Sequence, residues 1–325
     1  MLVVALIWGI NFSVTKGVFP RFPPLAFTAV RFAVAGALLW PLARWMEGNA
    51  PLPPGALRRL IVLGVVGNTF YQLGFITGLE RTTASNSALI LASMPSIVAL
   101  LAVALRLEPV RPRVLGGVLV ASLGVLLVVA ARSEGFSAGS LAGDALTLGA
   151  VVCWAGYTLG LRTVEGVSPL RVTAVTTLAG APGLVLAGVP QILSMDWDGV
   201  GLEGWGAFAY ATILSLLVAY LIWNRSVQAV GPSRTVVYMC VTPLIAVIAA
   251  AVLLGERPQP LQGAGAVLII AGVVLTRGGA AARSAPPVAP SPSADAESRC
   301  SRRPPDRRRT PPETPPASPP PRGSG

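Results

Sequence analysis

The chain has 325 residues, of which 53% are hydrophobic and 12% charged, with a formal net charge of +11. An average soluble domain carries about 25% charged residues, so a soluble globular protein is excluded. The sequence has no histidine, the commonest metal ligand and general base. Its cysteines, at 153, 240 and 300, are odd in number and lack the spacing of a disulfide framework or zinc site.

Ten apolar stretches, each close to the ~20 residues that cross a bilayer, follow one another between short charged or Pro/Gly-rich breaks. They predict an all-α fold, a polytopic membrane protein with ten transmembrane helices. Since the first stretch has no basic residues before it, we expect an uncleaved first helix rather than a signal peptide. The predicted spans are 2–19, 24–45, 57–79, 83–105, 112–131, 143–162, 170–190, 204–224, 233–254 and 260–276.

The basic residues favour one orientation in the membrane. If the N-terminus is cytoplasmic, the inner connections and helix ends hold ten of them and the outer ones five. The positive-inside rule then predicts a multi-pass protein of the cytoplasmic membrane with both termini inside. Because these charges are scattered over many loops, a nucleic-acid partner is excluded.

The two halves of the sequence resemble each other. An offset of 148 residues places Pro95 on Pro243, Glu108 on Glu256, Gly117 on Gly265 and Gly124 on Gly272, and an offset of 146 places Trp8 on Trp154. Each half holds five spans, an odd number, so the halves cross the membrane in opposite directions. This predicts two inverted five-helix repeats, 1–131 and 143–276, joined by a linker at 132–142.

The end of the chain differs in composition. Residues 277–325 contain thirteen prolines and nine arginines with few large apolar residues, which predicts a disordered cytoplasmic tail. Its arginine-rich part, 299–309, is interpreted either as a solvated segment or as a contact with anionic lipid.

Several segments resemble the EamA-type transporters of the drug/metabolite transporter superfamily. The resemblance is carried by Trp8-Gly9-Ile10-Asn11-Phe12, Lys16, Pro24, Arg31-Phe32, Thr82 through Ile90 leading into Met94-Pro95, Val241-Thr242-Pro243, Leu254-Gly255-Glu256-Arg257 and Gly263 through Gly272. It covers roughly residues 1–276 as two copies of the family's domain. It departs from the family where Arg106-Leu107-Glu108-Pro109 replaces a Gly-Glu-Arg. The resemblance implies a ten-helix carrier of small metabolites, often an exporter of amino acids or related compounds.

Polar residues inside the spans are the candidate site, because burying them in lipid is costly. Serine and threonine alternatively bond to their own helix backbone or to neighbouring helices. Arg31 is interpreted either as a counter-charge for a substrate carboxylate or as a side chain that snorkels to the interface. The candidate substrate-binding residues are Asn11, Arg31, Asn68, Tyr71, Gln72, Trp154, Tyr157, Tyr220 and Tyr238.

Pro95 and Pro243 occupy equivalent positions in the middle of two spans. Each frees a backbone carbonyl one turn earlier and permits a bend, so we expect hinges, with tolerated kinks as the alternative. No Asp, Glu or His lies in the middle of a span, and proton coupling would need Glu80 or Asp144 at helix ends, or the substrate itself.

These features predict a secondary transporter that exports small metabolites by alternating access. A flippase for a lipid-linked sugar or another amphipathic lipid is the alternative, and would require a groove open to lipid. An intramembrane enzyme is not expected, because no cluster of His, Asp, Glu or a serine with a base lies at membrane depth. We expect no cofactor or metal; the predicted partners are a small-molecule substrate and the bilayer, with a second copy of the chain as a further candidate.

Overall fold

The computed structural model describes residues 1–48, 51–107, 112–130, 138–164 and 166–277, and every regular element in these ranges is helical. Most of the predicted linker, residues 132–137, lies outside the described residues, as do Glu108 and the predicted tail after Arg277. The helices are α1 Leu2–Val18, α2 Pro24–Glu47, α3 Ala56–Arg81, α4 Ala84–Ala104, α5 Pro112–Ala130, α6 Ala138–Thr163, α7 Pro169–Ser194, α8 Asp198–Val230, α9 232–254 and α10 Pro260–Arg277.

The lengths and composition of these helices suit a membrane. Within the described residues, α2, α3, α4, α6, α7 and α8 are long and apolar enough to cross it, and the apolar parts of α1, α5, α9 and α10 are shorter. Large apolar side chains such as Leu186, Val252 and Val267 are largely exposed, as expected of a surface that meets lipid. The protein is therefore a polytopic helical membrane protein, and the count of ten spans stays a prediction.

Helix ends form where the local sequence supplies caps. Pro24 and Pro169 occupy the first turns of α2 and α7, where the missing N–H of proline costs nothing. The Thr83 side chain accepts from Asn86 N at 3.0 Å and begins α4. The carboxylate of Glu256 accepts from Ala84 N at 2.8 Å and so ties the α9–α10 connection to the start of α4.

The closest packing joins equivalent helices of the two halves. At one end of the α2–α7 pair, Gln191 accepts from Leu25 N at 2.7 Å, and at the other Arg171 donates to the Gly48 carbonyl at 2.6 Å. The two helices are therefore antiparallel, as inversion of the repeats requires.

Helices α5 and α10 also pack antiparallel, at their glycines. A Cβ on Gly124 would lie 2.7 Å from the carbonyl oxygen of Gly265, and one on Gly272 would lie 2.5 Å from that of Gly117. Gly124 and Gly272 are counterparts at the 148-residue offset, as are Gly117 and Gly265. The two contacts are therefore equivalent under the repeat. This is the contact pattern of two repeats related by a two-fold axis.

The regular geometry of four helices is interrupted at equivalent places. Residues Val65–Phe70 of α3 are π-helical, and so are residues Tyr210–Val218 of α8. The segment in α8 includes 213–218, the counterpart of Val65–Phe70 at the 148-residue offset. Helix α4 is broken at Ala92 and Ser93, and α9, which is 3₁₀-helical over Val236–Cys240, is broken at Val241, the counterpart of Ser93 at the 148-residue offset. Pro95 and Pro243 lie in the first turn after each break, and their action as hinges stays a prediction.

Candidate functional site

A cavity of about 40 Å³ lies within the helical bundle. A single water needs on the order of 10–15 Å³, so there is room here for a few small groups. All of its lining residues except Trp8 and Tyr71 are buried. The lining comes from seven helices and comprises Trp8, Asn11, Phe12, Arg31, Tyr71, Gln72, Phe75, Leu91, Met94, Trp154, Ser215, Tyr220 and Met239.

The cavity lies where the two repeats meet. Trp8 and its counterpart Trp154 touch edge to face, with ring centroids 5.8 Å apart. Gln72 donates through Nε2 to the hydroxyl of Tyr220, its counterpart 148 residues on, at 3.2 Å. Equivalent residues of two repeats can touch only near the axis that relates the repeats, so this cavity is central to the architecture.

The π-helical segments position several of the lining residues. Tyr71 and Gln72 directly follow the segment in α3, Ser215 lies within the segment in α8, and Tyr220 comes just after it. π-Helical segments are rare overall, but those that interrupt α-helices are often found at functional sites. The segment in α3 also holds Gly67, where a Cβ would lie 2.4 Å from the ring of Tyr157, so only glycine allows this close approach.

Aromatic rings form most of one wall. Trp154 has its ring centroid 4.8 Å from that of Tyr71 and 5.2 Å from that of Tyr220, and Trp8 lies 5.4 Å from Trp223. The Trp8 indole donates to the Ser215 carbonyl at 3.0 Å, which fixes its orientation. These rings offer flat apolar surface together with a few polar atoms, the composition expected of a small-molecule site.

Arg31 is the charged residue among those described as lining the cavity. It is 2% exposed, so its guanidinium stays within the protein rather than reaching the interface by snorkelling. Its Nη2 donates to Gln72 Oε1 at 2.9 Å, and the group lies 5.5 Å from the ring of Phe27 and 5.6 Å from that of Phe32. Its Nε has no hydrogen-bond partner, and among the described residues no carboxylate pairs with it.

Gln72 is hydrogen-bonded through both atoms of its amide. Its oxygen accepts from Arg31 and its nitrogen donates to Tyr220. The amide therefore holds the cation of one repeat against the hydroxyl of the other. The Asn11 Oδ1 atom is buried and has no hydrogen-bond partner among the described residues, so it is available as an acceptor.

Six of the nine predicted site residues line the cavity: Asn11, Arg31, Tyr71, Gln72, Trp154 and Tyr220. Tyr157 lies behind the wall, where it touches the Trp154 ring at 5.0 Å and donates to Asn224 Oδ1 at 2.9 Å. Asn68 is completely buried without lining the cavity, and among the described residues neither of its amide atoms has a hydrogen-bond partner. Tyr238 is 42% exposed, because its position in the helix turns it outward while the adjacent Met239 lines the cavity.

Some residues of the site were not predicted. Trp8 was identifiable, because it is the counterpart of the predicted residue Trp154. No sequence signal distinguishes the apolar lining residues from ordinary packing residues of the bundle; these are Phe12, Phe75, Leu91 and Met94. Thr173 and Thr176 follow the alternative given for threonines, since each donates to its own helix at 2.7 Å, to the Pro169 and Val172 carbonyls respectively.

Comparison with known proteins decides the family. The sequence profile of the EamA-like transporter family matches residues 1–130 and again 141–278. The chain belongs to the EamA-like transporter family. The double match agrees with the repeat seen in the sequence and in the contacts of α5 with α10.

Relatives of this EamA-like transporter cover most of its length. An uncharacterized transporter of Bacillus subtilis, YyaM, is 29% identical over 283 residues, covering 86% of this chain and 92% of its own. A Salmonella typhimurium protein named "Probable amino-acid metabolite efflux pump" is 28% identical, with 84% and 92% covered. A solved crystal structure, 21% identical, matches with a TM-score of 0.59 over 84% of this chain and 93% of the other, which supports the fold alone.

Proposed function

We propose that this EamA-like transporter exports small metabolites that carry a carboxylate, amino acids or related compounds, from the cytoplasm by alternating access. Its spans then lie in the cytoplasmic membrane with both termini inside. The observation that supports this most is Arg31, a buried cation at the central cavity with no carboxylate partner among the described residues. Burying an unpaired charge is costly, so a bound anion would restore the balance.

Two further observations support the proposal. The cavity lies between two antiparallel repeats, the place where secondary carriers bind substrate and from which either side of the membrane is reached. The name of the Salmonella relative describes an amino-acid metabolite efflux pump. The aromatic wall around Trp8 and Trp154 would then pack against the uncharged part of the substrate.

The alternative, a lipid flippase, draws less support. A lipid-linked sugar needs a groove in which its acyl chains stay in the bilayer. The residues around Arg31 are almost all buried, and the cavity holds about 40 Å³. A small soluble anion fits such a site better than a lipid does.

The test is efflux from cells that express the transporter, loaded in turn with amino acids and related compounds. We expect the accepted substrates to be carboxylates and their carboxamides to be poor substrates. The Arg31→Gln variant should lose about 10- to 100-fold of this preference, because hydrogen bonds to charged groups are worth roughly 1.5–3 kcal/mol. Arg31→Lys keeps the charge and should retain part of it.

The exposed Arg225 of α8 provides the matched control, and Arg225→Gln should transport normally. Membrane insertion and monodispersity of each variant are measured alongside. The proposal fails if well-folded Arg31→Gln discriminates carboxylate from carboxamide as the unaltered chain does. It also fails if only lipid-linked substrates are moved.

A further inference from the structure

A second cavity, of about 120 Å³, lies between the end of α2 and the start of α7. Its walls include Trp40, Arg44, Leu52, Arg171 and Val175, and we refer to it as the α2–α7 basic cavity. Arg44 comes thirteen residues after Arg31 on the same helix, which corresponds to roughly 20 Å at 1.5 Å per residue. The basic cavity is thus separate from the central one.

Its two arginines are held in place. The Arg171 guanidinium donates to the Gly48 carbonyl at 2.6 Å and lies 3.5 Å from the Glu47 carboxylate, and its side chain is only 17% exposed. Arg44 lies over the ring of Trp40, 5.1 Å from its centroid. Among the described residues, Arg171 is paired with the Glu47 carboxylate, whereas no carboxylate pairs with Arg44, so the Arg44 side of the cavity is suited to an anion.

The surroundings of the cavity are apolar. Its floor is the packed cluster of Leu39, Ala43 and Ala174. Trp40 is 39% exposed, and Leu178 of α7 is 41% exposed beside the contact of that helix with Gly36. A half-exposed tryptophan close to arginines at helix ends is typical of the depth at which lipid headgroups lie.

We propose that the α2–α7 basic cavity binds the phosphate of an anionic phospholipid. The guanidinium group of Arg44 binds the phosphate oxygens beside the cation of Arg171, and an acyl chain follows the apolar surface from Trp40 toward Leu178. A free phosphate would share the polar contacts, but it would leave this apolar surface unused. Basic pockets between transmembrane helices are known to bind such headgroups.

The experiment measures lipid binding rather than transport, so its outcome is independent of the proposed function. Purified full-length protein in detergent is titrated with dioleoyl-phosphatidylglycerol or dioleoyl-phosphatidylcholine, and bound lipid is counted by native mass spectrometry. We expect phosphatidylglycerol to bind more tightly. Arg44→Gln should weaken it about fivefold, the effect of roughly one basic residue near a headgroup.

Arg58→Gln is the matched control, because Arg58 is an exposed arginine at the beginning of α3 and does not line the cavity. It should bind phosphatidylglycerol as the unaltered chain does, and Arg44→Lys should bind better than Arg44→Gln. Equal binding of the two lipids, or equal affinity in Arg44→Gln and Arg58→Gln, would overturn the proposal. So would displacement of the lipid by millimolar inorganic phosphate, which would indicate a soluble anion instead.

Discussion

At the scale of single residues, the chain Arg31–Gln72–Tyr220 is the polar feature that joins the two repeats. The amide of Gln72 is bonded on both sides, so we expect it to position the arginine, whose remaining donors would meet the proposed substrate. A neutral amide suits this role, because it orients the cation without neutralising it.

Replacing Gln72 by Glu tests this assignment. The new carboxylate would pair with Arg31 over the present 2.9 Å contact and compete with a substrate carboxylate. We expect efflux to fall about 10- to 100-fold, the value of a hydrogen bond between charged groups, measured as initial rate in the same cells. Gln228→Glu, at an exposed glutamine of α8, should leave the rate unchanged. A Gln72→Glu variant with the rate of the unaltered chain would contradict the positioning role.

The sequence indicates which polar residues are candidates for the cavity better than it indicates the direction in which each side chain points. Arg31, Gln72 and Tyr220 were candidates because polar side chains are costly to bury in a membrane, and all three line the cavity. Which of two neighbours, Tyr238 or Met239, faces the cavity depends on the 3₁₀ geometry of residues 236–240 in α9. No periodic pattern in the sequence predicts 3₁₀ geometry at these residues, so the outward direction of the Tyr238 side chain was not predictable.

At the scale of helices, the interruptions distinguish this bundle from a set of straight rods. The approximate ranges of the spans followed from apolar runs and breaks, whereas the π-helical segments in α3 and α8 did not. A π turn arises from packing between helices, and the sequences Val65–Phe70 and 213–218 share little beyond their position. Their occurrence at equivalent places in both repeats indicates that the π-helical segments belong to the shared fold of the repeat.

The breaks in α4 and α9 lead to a prediction about rate. Pro95 and Pro243 lie in the first turn after each break and lack the N–H that would continue the helix. Alanine restores that N–H and favours a straighter helix. If these breaks are hinges, Pro95→Ala and Pro243→Ala should lower the maximal efflux rate several-fold while substrate binding is little changed.

The proline control lies in α7. Pro190 is also inside a helix, but it is exposed and next to no break, so Pro190→Ala should transport at the normal rate. Efflux is measured over a range of substrate concentrations, and binding separately by thermal shift. Normal maximal rates in both Pro95→Ala and Pro243→Ala would leave the prolines as tolerated kinks.

At the scale of the whole molecule, the two repeats are held together by small residues. Between α5 and α10, each backbone approaches the other at glycines, a packing that membranes favour because apolar side chains gain little from leaving lipid. The repeat alignment identified Gly117 and Gly265 as counterparts, as it did Gly124 and Gly272, but not the contacts of Gly124 with Gly265 and of Gly117 with Gly272. It could not predict how closely the helices approach, which depends on the absence of side chains from both partners.

Methyl groups at this interface test the close packing of α5 against α10. A Cβ on Gly124 would lie 2.7 Å from the Gly265 oxygen, and one on Gly265 lies equally close to the Gly124 oxygen. We expect Gly124→Ala and Gly265→Ala to destabilise the protein by similar amounts, about 1–3 kcal/mol, as overpacking does. The measurement is the thermal unfolding midpoint in detergent. Gly263→Ala, where a methyl group meets open space, is the control and should unfold normally; equal midpoints for all three would refute close packing here.

The buried cation breaks this symmetry. At the 146-residue offset the counterpart of Arg31 is Thr177, which is buried and uncharged. Two identical five-helix chains paired about the same axis would bring two guanidinium groups, repelling each other, to one small cavity. Joining the halves in a single polypeptide removes that constraint, because each half can then change without the other. A single polypeptide with two unlike halves thus permits one positive charge among the described lining residues of a two-fold framework, and the proposed anion would bind there in one orientation.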